Sequence, residues 1–174
     1  MRTLAQELGV PVMTLYNYVT NKDGLDELVV NHLLRSVEIP SPEAGSWEER
    51  LRQLERDARR AMKDYPGISF DPRGGRATEA VRLIEGVMSI LDSAGFDESG
   101  AAFAFATLFT FMLGQIEVDA LHAAEDALEH VTKSAQLSQD DLFEFGFQAV
   151  IEGLKVLLPS RRPPQGASSS KPAS

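Results

Sequence analysis

The stretch from Ala101 to Leu121 constrains this chain more than any other, because it is apolar almost all round. Phe103, Phe105, Leu108, Phe109, Phe111, Met112, Ile116 and Leu121 cannot share one side of a helix, so the segment must be covered on two sides. Leu142 to Leu158 repeats the demand, with Phe143, Phe147, Val150 and Leu154 on one stripe and Leu142, Phe145, Ala149 and Val156 on another. A single copy with few helices leaves one stripe wet, at about 25 cal/mol per Å² of apolar area. Pairing both helices with their copies in a second chain, as a four-helix bundle, removes that cost and predicts a homodimer.

Helical spacing runs through the rest of the chain, with no alternating strand and no Asn-Gly hairpin, so the fold is expected to be all-α. Helices are predicted over residues 2–8, 12–19, 23–37, 47–65, 77–93, 97–124 and 138–158. Pro40, Pro42 and Gly45 break the pattern and divide a first unit, 1–38, from a second, 46–158. Ser46 with Glu49 reads as a capping box opening the fourth helix, and Ser138 with Asp141 as a similar start to the last. The many Arg and Glu residues between Glu48 and Asp64 read as a solvated, salt-bridged face. A turn is expected around Pro66, Gly67, Pro72, Gly74 and Gly75. Residues 159–174, rich in Ser, Pro and Ala, cannot build a core and are expected to be a disordered tail.

The formal net charge of −9 argues against a nonspecific nucleic-acid coat, and the acidity belongs mainly to the second unit. Residues 76–158 carry four basic side chains against fourteen acidic ones, whereas residues 1–38 carry three against five. The absence of cysteine excludes disulfides, Fe–S clusters, thiolate zinc sites and a cysteine nucleophile, and fits a reducing compartment. No apolar run approaches bilayer length, and Arg2, Gln6 and Glu7 interrupt any signal-peptide core, so a cytoplasmic protein without a membrane partner is expected. Gly-x-Ser-x-Gly, P-loop and Gly-x-Gly-x-x-Gly patterns are absent, so no enzyme and no cofactor are expected. No metal site is expected either: His122 and His130 with the acids near them lack a Glu-x-x-His or His-Glu-x-x-His frame.

The opening residues Leu4, Ala5, Leu8, Gly9, Val10, Leu15 and Tyr18 have helix-turn-helix spacing. Ala5 is small enough to let a second helix cross closely, Gly9 can end the first helix in the left-handed conformation, and Val10 plugs the turn. Pro11, Val12, Met13, Thr14 and Asn17 then face outward where a recognition helix reaches base edges in the major groove. Tyr16 and Tyr18 can donate phenolic hydrogen bonds to phosphates, and Lys22 precedes a third helix. The same spacing also suits an ordinary helical hairpin, with the tyrosines filling a core or an interface.

Leu4-Ala5-Gln6-Glu7-Leu8-Gly9-Val10, then Thr14-Leu15-Tyr16-Asn17-Tyr18-Val19 and Asn21-Lys22-Asp23-Gly24-Leu25, strongly resembles the DNA-binding region of the tetracycline-repressor family. The remainder is similar to that family's C-terminal domain more loosely, through helix order, the break after Tyr65-Pro66, and Ala94-Gly95-Phe96 leading into a long apolar helix with Gly114. The resemblance implies a homodimeric, usually repressive transcription factor that leaves a palindromic DNA operator when a small ligand occupies the C-terminal domain. It places Thr14 and Tyr16 at groove-facing and phosphate-contacting positions, Tyr18 at the aromatic-or-histidine position, and Lys22 at the phosphate-contacting lysine. The family has one more helix before this region, whereas this chain begins in the next one, so its start is expected to be truncated.

Met62, Ile68, Phe70, Leu83, Val87, Phe105, Phe109 and Met112 are candidates to line a ligand cavity, which would suit a hydrophobic or aromatic effector. Any one of them is more simply read as plain core or interface. The alternative to a DNA-binding regulator is a dimeric helical ligand-binding or interaction module that has lost DNA binding.

Overall fold

The computed structural model describes residues 1–19, 21–65, 78–123 and 138–158, with backbone alone for 120–123. The turn expected over 66–75 and the tail expected over 159–174 lie outside those residues. Every regular element described is helical, as the sequence predicts: α1 (Arg2–Glu7), α2 (Val12–Tyr16), α3 (Lys22–Leu34), a 3₁₀ turn (Pro42–Ala44), α4 (Trp47–Met62), α5 (Thr78–Ala94), α6 (Glu98–Ala123) and α7 (Gln139–Leu157).

Two boundaries near the N-terminus differ from expectation for a local reason. α2 stops at Tyr16 rather than Val19, because the chain tightens through Asn17 N–H to Thr14 O (3.2 Å) and Tyr18 N–H to Leu15 O (3.0 Å) and so turns Val19 into the interior. Asn21 is then extended and caps α3, its side-chain oxygen accepting the Gly24 amide at 2.9 Å, which starts α3 at Lys22. α3 ends at Leu34 rather than Val37, and α4 at Met62 rather than Tyr65.

Both predicted caps form completely. The Ser46 amide donates to Glu49 Oε2 (2.7 Å) while the Glu49 amide donates to Ser46 Oγ (3.3 Å). Ser138 and Asp141 exchange the same pair of bonds at 2.9 and 3.1 Å.

α3 packs on α4 and α5, α5 on α4 and α6, and α6 on α4 and α7, around one core that runs from Val30 to Leu154. Phe143 and Phe147 stack at a centroid distance of 5.8 Å, and Phe111 of α6 lies tilted against both. Gly146 makes this approach possible, since a Cβ there would sit 2.6 Å from the Phe111 ring.

Two expectations are corrected by the packing. α6 is long and apolar enough over Glu98–Asp119 to span a bilayer by length and composition, contrary to the sequence reading, and α4, α5 and α7 cover part of it. The charged face of α4 is not solvated throughout, because Arg50, Glu55 and Arg59 are buried. Arg50 Nε donates to the Pro40 carbonyl (3.2 Å) and Nη1 to Ser93 Oγ (3.3 Å). Arg59 lies over the Phe143 ring at 4.9 Å, and its Nε and Nη2 donate to both oxygens of buried Asp119 at 2.8 and 3.0 Å. Its Nη1 reaches Asp140 at 2.6 Å, so one guanidinium joins α4, α6 and α7.

Candidate nucleic-acid interface and ligand cavity

The head is built on a backbone turn. Gly9 has φ of +64°, and it ends α1 with the Val10 amide donating to Ala5 O (3.0 Å) and the Gly9 amide to Gln6 O (3.1 Å). This is the Schellman arrangement, which favours glycine because a Cβ clashes in the left-handed region. Ala5 is buried, and α1 packs on α2 as the spacing predicts. Leu4 is half-buried and Leu8 exposed.

Pro11 forms the N-cap of α2, and Pro11, Met13, Tyr16, Asn17 and Tyr18 all lie on open surface. Met13 and Tyr18 are each 72% exposed, far more than core or interface filling within one chain would allow. Val12 and Thr14 are half-buried. Lys22 is exposed as the first residue of α3 rather than ahead of it, and its Nζ lies 3.3 Å from Asp26 Oδ2. Six of the eight expected head residues are therefore exposed, with Lys22 paired to an acid of its own helix.

The second set converges as well. Met62, Leu83, Val87, Phe105, Phe109 and Met112 line one cavity of about 100 Å³. Ile68 and Phe70 lie outside the described residues. Phe105 and Phe109 stack at 5.6 Å on one wall. Sequence reasoning missed eight lining residues, among them Leu34 of α3 and Glu55 of α4. Both had a signal. Leu34 follows Val30 by one helical turn, and Glu55 falls in the apolar period Leu51, Leu54, Ala58, Met62, where its charge disguised it as surface. Burial pushes the Glu55 carboxyl from 4.5 up to about 8.

The cavity and the head share an element. α3 leaves the head and ends in the cavity wall at Leu34, where Arg82 of α5 donates to the Leu34 and Val37 carbonyls at 3.2 and 2.8 Å. In return, Asn31 of α3 accepts the Glu79 amide at the start of α5 (3.0 Å). Each helix thus satisfies an end of the other.

The family model for the tetracyclin repressor-like C-terminal domain matches residues 39–135, more than half of the chain. The chain belongs to the tetracycline repressor family. Among its relatives, the tetracycline repressor protein class D of Escherichia coli is 30% identical, across 90% of this chain and 77% of that protein. The HTH-type transcriptional repressor DrrR1 of Streptomyces coeruleorubidus is 27% identical, across 93% of this chain and 72% of its own length. A solved relative, the tetracycline-repressor family protein ActR of Streptomyces coelicolor in complex with actinorhodin, superposes with a TM-score of 0.70 at 26% identity, covering 92% of this chain and 88% of ActR. Tetracycline repressor family membership makes this chain a DNA-binding transcriptional regulator rather than an enzyme. Among the described residues, no group of three or more His, Asp or Glu gathers where a metal ion could be held.

Proposed function

We propose that this chain is a homodimeric repressor whose head, residues 1–38, reads a palindromic operator and whose body, residues 46–158, binds a hydrophobic effector and pairs with a second copy. Pro11, Val12, Met13, Thr14 and Asn17 face base edges in this reading, and Tyr16, Tyr18 and Lys22 hold phosphates. The exposed apolar row on α6 and α7 supports the dimer: Phe103 is 74% exposed, Phe145 79% and Val156 83%, a density of bare large side chains that a second copy would cover. Two copies would set their recognition helices about 34 Å apart. A cytoplasmic location goes with this role.

The observation that carries the reading is Leu34. A ligand in the cavity touches the last turn of the head's third helix directly, so any ligand that needs Leu34 displaced changes the angle at which α3 delivers the head. Ligand binding and operator binding then oppose each other through one helix, by equal and reciprocal factors. ActR, which is in complex with actinorhodin, lends support for a small-molecule effector in such a body.

The test is operator selection from random duplexes followed by titration over a salt series. A palindromic site bound by two chains, with Lys22→Ala lowering the log–log salt slope by about one per head, is the expected outcome. Salt-independent binding, or selection of no sequence at all, removes the DNA-reading role and leaves the ligand-binding module.

A further inference from the structure

Among the described residues, the cavity wall contains one ionisable side chain, Glu55. Glu55 is 7% exposed, and among the described residues its carboxyl has no hydrogen-bond or ion-pair partner. The basic residues near it on α4 are committed elsewhere. Arg59, one turn on, holds Asp119 and Asp140, whereas Arg56 is bound to Glu144, and Arg52 to Glu144 and Gln148. The walls supplied by α3, α5 and α6, including Leu34, Leu83 and Phe109, are apolar. A leucine at this position would cost nothing in desolvation, whereas an isolated carboxyl gives up its hydration for no bond in return. No hydrogen bond or ion pair among the described residues uses this group, and it lies in the cavity wall.

We infer that Glu55 is a cation receptor inside the effector cavity, and that the effector is a hydrophobic amine whose protonated nitrogen pairs with this carboxylate while its rings fill the apolar walls. The inference rests on the reading of this cavity as the effector site. A neutral ligand of the same shape gains the walls alone; an ammonium gains in addition a charge-assisted hydrogen bond in a low-dielectric site. The proton balance follows from burial. Near pH 7 the empty site holds the neutral acid, so an arriving ammonium displaces the carboxyl proton to solvent, and the product is a carboxylate–ammonium pair.

The experiment compares 2-(1-naphthyl)ethylamine with 2-(1-naphthyl)ethanol by titration calorimetry on the full chain near pH 7, in two buffers of different ionisation enthalpy. The same titrations are run on Glu55→Gln, which keeps the shape and removes the charge. The amine is expected to bind wild type about 30-fold more tightly than the alcohol, as for a hydrogen bond to a charged group, and to release most of one proton. In Glu55→Gln that preference shrinks to within about threefold, with alcohol affinity unchanged. The alcohol binding as well as the amine, with no proton release, overturns the inference and leaves the effector cavity standing. An amine preference that survives in Glu55→Gln also overturns it, by placing the cation on the acidic surface. Failure of both probes to bind overturns it together with the effector reading. The amine-to-alcohol ratio on wild type decides the question even if the variant folds poorly.

Discussion

The head and the body of this molecule are stabilised in different ways. Between α1 and α2 the buried side chain is Ala5, and the turn is held by backbone bonds at Gly9 and Val10. Between α4 and α7 the chain buries Leu51, Leu54, Ile90, Leu91, Leu108, Phe143, Phe147 and Ile151 almost completely and threads Arg59 through three helices. A surface that must meet an external partner keeps its large residues out, and the fold around it depends on local turn chemistry. A body that must enclose a cavity needs long-range contacts on every side of it. The head is consequently the part whose features depend on neighbours in sequence, and the body the part whose features depend on neighbours in space.

Removing Arg59 is the strongest way to test that division. Arg59→Ala leaves Asp119 buried and uncompensated, and is expected to cost about 3–5 kcal/mol. Arg60→Ala, which breaks a pair on the exposed side of the same helix, should cost under about 1 kcal/mol. Urea unfolding followed by the fluorescence of Trp47 reads both. Equal costs would mean that α4 behaves as one solvated face after all.

The pH dependence of the body gives the next largest effect. The Glu55 carboxyl titrates at about 8 in the folded chain against an ordinary 4.5, so between those values the folded state binds the extra proton. Its contribution to stability is complete below about 4.5 and is lost as the pH rises through 8, with a slope of up to about 1.4 kcal/mol per pH unit. Glu55→Gln should flatten that slope and be the more stable protein at pH 8. Parallel urea midpoints for the two proteins from pH 5.5 to 8 would show instead that the carboxyl is solvated.

The smallest effect in energy belongs to the head and should stay there. Gly9→Ala forces a Cβ into the left-handed region at about 1–2 kcal/mol, with open space around it and therefore no clash to add. Hydrogen exchange should quicken at the Gly9 and Val10 amides and operator affinity should fall, with the unfolding midpoint of the body unmoved. A matching drop in the body's midpoint would show that α1 and α2 do not open independently.

Much of this was legible beforehand, and the misses share a cause. Gly9, the Ser46 and Ser138 caps and the two-sided character of α6 and α7 follow from chemistry within a few residues along the chain. The early end of α2 was missed because the burial of Val19 outweighed the helical preference of the residues before it. The burial of Arg50, Glu55 and Arg59 is not legible in the sequence, where a charge signals exposure. Arg50 and Arg59 are instead satisfied by residues ten to more than eighty positions away, and Glu55 is enclosed by apolar walls from three other helices.

Residue order alone determined the helices, their caps, the open surface at Pro11, Met13, Tyr16, Asn17 and Tyr18, and the need for cover on both stripes of α6 and α7. These follow from hydrogen bonds and periodicities that close within one or two turns. The tertiary structure alone decided which charges went inside, and that Leu34 and Glu55 join the wall of the cavity. Those outcomes depend on how four helices cross, and a crossing is fixed by the summed fit of side chains far apart in the chain.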